Sequence, residues 1–157
     1  MDINKNNLDK ALSPYLQQHK DNPIHWQEWN TGTLKYAKEK NKLIFLSIGY
    51  ASCHWCHVQS LEAFSDAAVA DYLNEYFVSI KVDREQRPDI DQYFLNYCMQ
   101  TQGQGGWPLN VFLTPEHIPF FATTYVPLTP KYGLPGFLEL LHMIRQGYEK
   151  EKHKIKH

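Results

Sequence analysis

The chain has 157 residues, 43% apolar and 14% aromatic, enough to bury one core without disulfides or metals and too aromatic for a disordered segment. A net charge of −1 gives no electrostatic basis for partnership with nucleic acid or an anionic membrane, and no run approaches the roughly 18 apolar residues of a membrane span. Three cysteines exclude a secreted disulfide framework, and with no apolar leader in residues 1–7 the expected location is cytoplasmic, where a close cysteine pair is catalytic or metal-binding.

In residues 8–29, Ser13-Pro14 and Asn22-Pro23 disfavour helix just before each proline. The stretch reads as short helical pieces of an extension, residues 1–30, packed on the core. A short helix is predicted over 33–41 from Leu34, Ala37 and Lys38, and the apolar run from Lys42 to Ile48, stopped by Gly49, predicts a strand buried on both faces. Helical sequence follows the cysteines as far as Phe64. Ser65 is then placed to cap another helix, with Phe64 and Val69 as a staple and Val69, Tyr72, Leu73, Tyr76 and Phe77 on one buried face.

Residues 77–82 predict the next strand, and Arg87-Pro88-Asp89 opens a helix with proline in its first turn. Its inward stripe reads Ile90, Tyr93, Phe94, Tyr97, Cys98 and Thr101, and Gly103-Gln104-Gly105-Gly106 ends it. Strands over 109–113 and 119–123 flank the turn Thr114-Pro115-Glu116-His117. A helix over 134–148, with Phe137, Leu138, Leu141, Ile144 and Tyr148 inward, closes the domain; residues 149–157 are expected to be a flexible tail. This order, βα(α)βα and then ββα, predicts an α/β domain of thioredoxin-like fold over 31–148: a central mixed sheet flanked by helices, with the extension added.

Cys53-His54-Trp55-Cys56-His57 directly follows the buried strand and opens a helix, the context a redox Cys-x-x-Cys requires. At a helix N-terminus Cys53 faces unpaired N–H groups and the positive end of the dipole, which favour thiolate, so it is the nucleophile. Cys56, one turn on, resolves the mixed disulfide. As auxiliary groups, a protonated His54 stabilises the thiolate, Trp55 covers the site, and His57 is either a proton relay to Cys56 or merely solvated.

Two rivals share the motif. Cys-x-x-Cys-His is also the c-type haem attachment pattern, against which stand the sheet-forming strand before it and the expected lack of a leader. Thiolate and imidazole also suit zinc, so the alternative to an oxidoreductase is a non-enzymatic binding or regulatory module, holding Zn or another metal through Cys53, Cys56 and a histidine. No second ligand pair at finger spacing accompanies them; no cofactor is expected, and no metal ligand is assigned. Cys98, on an apolar stripe, reads as an inert buried thiol.

Gly105-Gly106-Trp107-Pro108 precedes a strand, where a thioredoxin fold carries a cis-proline facing the cysteines. Pro108 is the candidate, with Trp107 as the substrate-side wall. Asp83, Arg84, Glu85 and Arg87 after a strand end read as surface ion pairs and helix caps, with Asp83 or Glu85 as the candidate proton relay to Cys56. His19 and Trp26 read either as cover for the cysteine face or, by preference, as packing alone.

These motifs, with Ser13-Pro14-Tyr15-Leu16-Gln17-Gln18-His19, Asn22-Pro23-Ile24-His25-Trp26, residues 48–58, Lys81-Val82-Asp83-Arg84-Glu85 and residues 103–109, make nearly the whole chain resemble a family. It is the thioredoxin-like N-terminal domain of the spermatogenesis-associated protein 20 family and its bacterial relatives. The resemblance implies a thioredoxin fold and a thiol redox role on a protein or small-molecule disulfide. Longer members continue into an α/α-barrel domain like those of sugar-processing enzymes, which is missing here. Gln59 stands where the family usually has Met, and Ala122-Thr123-Thr124-Tyr125 replaces a Gly-Gly-Thr-Tyr-like run.

Overall fold

The apolar run forms β1 (Leu43–Gly49), and all seven residues are buried, as befits a strand covered on both faces. The computed structural model, which describes residues 2–155, sets it inside a four-stranded sheet ordered β2-β1-β3-β4. β2 (Phe77–Asp83) runs parallel to β1 with Asp83 opposite Gly49, and β3 (Leu109–Leu113) runs antiparallel with Leu109 opposite Ile48. β4 (Pro119–Thr123) adds an antiparallel outer strand. The other outer edge, that of β2, is met by one parallel bridge from Gln27: its N–H donates to Ser79 O and its carbonyl accepts from Lys81 N–H, both at 2.9 Å.

Among the described residues six α-helices flank this sheet: α1 (Pro14–Gln17), α2 (Thr31–Glu39), α3 (His54–Leu61), α4 (Ala67–Tyr76), α5 (Pro88–Gln102) and α6 (Phe137–Ile155). The order and the mixed sheet are those of a thioredoxin-like fold. The cap of α4 is Asp66 rather than Ser65: Asp66 Oδ2 accepts from Val69 N–H at 3.0 Å. Ser65 belongs to a 3₁₀ turn, Ala63–Ser65, and its hydroxyl is used by Ser60 O at 2.7 Å, which leaves the carboxylate to cap. The stripe of α5 is also narrower than expected. Ile90, Phe94 and Cys98 are buried one turn apart, while Tyr93 and Thr101 are exposed. α6 begins after a tight bridge between Lys131 and Leu134 has turned the chain, and it stays helical through Ile155. The last two residues of the expected tail, 156 and 157, lie outside the described residues.

Period-2 alternation sends strand side chains to two cores. One joins Leu43, Phe45, Phe77 and Phe112 to α4, α6 and the N-terminal residues Leu8, Tyr15, Leu16 and Trp26. Phe45 is its hub, with ring centroids 5.2 to 6.0 Å from Phe112, Phe137, Trp26 and Phe64. The other joins Ile44, Leu46, Ile48, Val78, Ile80, Val82, Leu109, Val111 and Leu113 to Ala37 of α2 and the buried residues of α5.

Candidate active site

β1 delivers the chain at Gly49 to a turn whose exit, Cys53, is the N-cap of α3. Cys53 Sγ accepts the Cys56 N–H at 3.2 Å, a backbone donor that lowers the cost of negative charge on sulfur. The two sulfurs are at disulfide distance, with Cα atoms 5.3 Å apart. Cys53 is 4% exposed and Cys56 1%, so Cys53 is the more accessible of two nearly buried cysteines. His57 Nε2–H donates to Ala51 O at 2.6 Å and so braces the turn before the cysteines. His54 and Trp55 point outward; Trp55 is 45% exposed, with its ring 4.9 Å from that of Tyr125 and 5.3 Å from that of His54.

An open cleft of about 490 Å³ is walled by Trp55, Gly105, Gly106, Trp107, Tyr125 and Tyr132. The Trp107–Pro108 peptide on its wall is cis. Trp107 is held from behind: its Nε1–H donates to Asp91 Oδ1 at 2.7 Å, and Arg84, 3.3 Å from Asp91 Oδ2, stacks its guanidinium 4.2 Å from the indole. Tyr125 on the opposite wall donates its hydroxyl to Glu62, and burial, then Glu62, raises its pKa.

Beneath α3 lies a polar group of residues drawn from three segments. A Cβ at Gly49 would fall 2.7 Å from Cys56 Sγ and closer still to the Tyr15 hydroxyl, so glycine is what lets both reach the end of β1. Lys81 is wholly buried; its Nζ donates to Ser47 Oγ at 2.8 Å and lies 4.6 to 5.4 Å from the ring centroids of Phe64, Trp26 and Tyr15. Burial pushes the lysine pKa well down. His19 Nδ1–H donates to Tyr15 O at 3.0 Å, and burial, then Lys81, lowers its pKa to about 3. The Tyr15 pKa is raised, by burial first and Asp83 second.

The charged run after β2 is divided by the structure. Asp83 turns inward, accepting Ser13 Oγ–H at 2.6 Å and Glu85 N–H at 2.9 Å. Glu85 has an exposed side chain and meets Asp83 through its backbone. Arg84 backs Trp107, while Arg87 pairs with Asp89 at the surface. Cys98 is buried in α5, its thiol donating to Gln104 O at 3.4 Å and its pKa raised by burial.

Sequence reasoning missed Tyr15, Lys81, Ser47 and Asp91. For Lys81 a signal exists, since Phe77, Ser79, Lys81 and Asp83 share one face of β2 and a lysine there must be buried. Asp91 lies beside Ile90 on the inward side of α5. Tyr15 has no such local mark. Among the described residues no group of three His, Cys, Asp or Glu side chains could hold a metal ion, and no helix is long and apolar enough to cross a membrane.

A family model described as "Protein of unknown function, DUF255" (Thioredox_DsbH) matches residues 5–157. "Uncharacterized protein B0495.5" of Caenorhabditis elegans is 47% identical over 152 residues, covering 97% of this chain and 21% of that protein. "Spermatogenesis-associated protein 20" of Homo sapiens is 43% identical over 152 residues, 96% of this chain and 19% of that one. The chain thus spans about a fifth of the length of these curated relatives. Among solved structures, "DsbH Oxidoreductase" superposes with a TM-score of 0.56 at 15% identity, over 78% of this chain and 83% of that chain. A thioredoxin from Thermus thermophilus also gives 0.56, at 17% identity over 78% and 87%. Both likenesses are of fold.

Proposed function

The chain belongs to the DUF255 (Thioredox_DsbH) family, and from that premise we propose that it is a thiol–disulfide oxidoreductase domain acting through Cys53 and Cys56. The observation that carries this reading is the pair itself, at disulfide distance on the first turn of α3, with the Cys53 sulfur accepting a helix N–H. Cys53 thiolate attacks one sulfur of a protein or small-molecule disulfide; that S–S bond breaks and the first substrate thiolate leaves. Cys56 thiolate then attacks Cys53 Sγ, the Cys53–Cys56 bond forms, and the second substrate thiolate departs with the electron pair. Two electrons have passed to the substrate, and the same steps reversed oxidise a dithiol.

The substrate chain lies in the aromatic cleft along Trp107–Pro108, with Trp55 as the opposite wall. His54, when protonated, adds positive charge at the mouth, and His57 steadies the turn through Ala51. Asp83, the buried carboxylate of the two relay candidates, serves Cys56 in preference to Glu85. The expected setting is the cytoplasm, where reducing conditions keep such a pair available for turnover.

The test is a trap. Cys56→Ser leaves the attacking thiol and removes the resolving one, so it should accumulate a mixed disulfide through Cys53, whereas Cys53→Ser should trap little. Iodoacetamide at acidic pH should modify Cys53 of the reduced chain far faster than Cys98. Equal, slow alkylation of both, together with no adduct from Cys56→Ser, would overturn the reading.

A further inference from the structure

Tyr15 arrives from the N-terminal extension and ends against the resolving cysteine. Its hydroxyl and Cys56 Sγ both crowd the Cβ position of Gly49, which puts them within about 5 Å of each other. Tyr15 is 1% exposed, and its hydroxyl has no hydrogen-bond partner among the described residues, a costly state for a buried polar group.

The polar groups around it are engaged elsewhere. Lys81 Nζ, from β2, donates to Ser47; Asp83, at the end of β2, accepts from Ser13 and Glu85; His19 turns its Nδ1–H to a backbone carbonyl; and His57 on α3 donates to Ala51 O. His19 Nε2 and Ser79 Oγ are also unpartnered among the described residues, but the Cys56 sulfur is the acceptor that shares the Gly49 Cβ position with the hydroxyl. In a disulfide that sulfur is a poor acceptor. As a thiolate it is a good one, and it is then free to rotate.

We propose that the Tyr15 hydroxyl is a catalytic hydrogen-bond donor to the Cys56 sulfur, engaged when the Cys53–Cys56 bond opens. The proposal rests on the exchange reading above. When a protein dithiol or glutathione reduces the pair, its thiolate attacks Cys53 Sγ. A new S–S bond forms there, the Cys53–Cys56 bond breaks, and its electron pair goes to Cys56 Sγ. Tyr15 donates O–H···S⁻ to the leaving sulfur and keeps its proton, because burial and Asp83 both hold the phenol protonated. A second thiolate then attacks the reductant's sulfur in the mixed disulfide, and Cys53 leaves as thiolate. The hydroxyl thus favours the reduced pair and makes the disulfide more oxidising.

Tyr15→Phe removes the donor and keeps the ring. In the full chain, equilibration with glutathione should shift about tenfold toward the disulfide form, the scale of a hydrogen bond to a charged acceptor. The Cys56 thiol, followed by NMR with labelled cysteine Cβ, should titrate about one unit higher, with the Cys53 titration unmoved. Urea unfolding should show the reduced form destabilised relative to the oxidised one. A purely structural tyrosine predicts equal loss in both redox forms; that result, or an unchanged glutathione equilibrium with an unchanged Cys56 titration, overturns the proposal. A wild-type chain that fails to equilibrate with glutathione sinks the exchange reading itself, and the Cys56 titration still decides the role of Tyr15.

Discussion

On the α2 and α5 side of the sheet β1, β2 and β3 present only aliphatic side chains: Ile44, Leu46 and Ile48, then Val78, Ile80 and Val82, then Leu109, Val111 and Leu113. On the α3 side the same strands read Leu43, Phe45, Ser47 and Gly49, then Phe77, Ser79, Lys81 and Asp83, then Phe112 and Asn110. That face grades from aromatic to polar along the strands, and the polar end lies beneath the cysteines. Burying such groups is unfavourable unless they are partnered, and most are: Lys81 with Ser47, Asp83 with Ser13, and Asn110 with Gln59 through two reciprocal amide bonds. Tyr15 Oη, His19 Nε2 and Ser79 Oγ, all on this side, are unpartnered among the described residues. One face maximises burial; the other gives up some of it to keep polar groups beside a sulfur.

The contrast can be broken most forcefully at the aromatic end of the polar face. Phe45→Ala should cost about 3–5 kcal/mol in urea unfolding, equally in both redox forms, because Phe45 meets four rings and neither cysteine chemistry nor charge. A clear dependence on redox state would mean that the two ends of the face are not separate.

Acid should find the polar face next. His19 has its pKa held near 3 in the folded chain and near 6.5 when unfolded. Between those values the unfolded chain binds more protons, so stability falls as pH drops from 6.5 toward 3, with a slope approaching about 1.4 kcal/mol per pH unit from this residue. His19→Asn should flatten that limb in pH-dependent unfolding curves; an unaltered limb would remove His19 from the account.

The Gln59 pair sharpens the comparison at a single buried contact. Gln59→Met leaves Asn110 without its reciprocal amide and Val126 N–H without its acceptor, at about 1–3 kcal/mol by thermal unfolding. A neutral result would show that side chains here repack freely. The smallest effect belongs to the aliphatic face, where Ile80→Val should cost about 0.5–1.5 kcal/mol with no dependence on pH or redox state; any such dependence would mean the faces communicate.

Features with a local physical cause were legible in the sequence. The apolar run of β1, the proline opening α5 and the cysteine pair after a strand each announce themselves within a few residues. Capping was off by one because Ser65 and Asp66 are both good caps, and only the preceding 3₁₀ turn decides between them. Asp83 and Arg84 looked like surface charge, yet Asp83 reaches Ser13 across 70 positions and Arg84 is committed to Asp91 and Trp107. Tyr15 and His19 sit in a segment whose own pattern says only that it packs. That it packs beneath Cys56 follows from tertiary contacts with no local periodicity.

The bridge at Gln27 turns the docking of that segment into something an exchange experiment can time. The outer N–H of Lys81 donates to the Gln27 carbonyl, so its proton trades with solvent deuterium when residues 2–27 lift from the strand. Because Tyr15 travels with those residues, the protection factor of one amide in β2 reads the free energy with which the floor of the cysteine site is held shut.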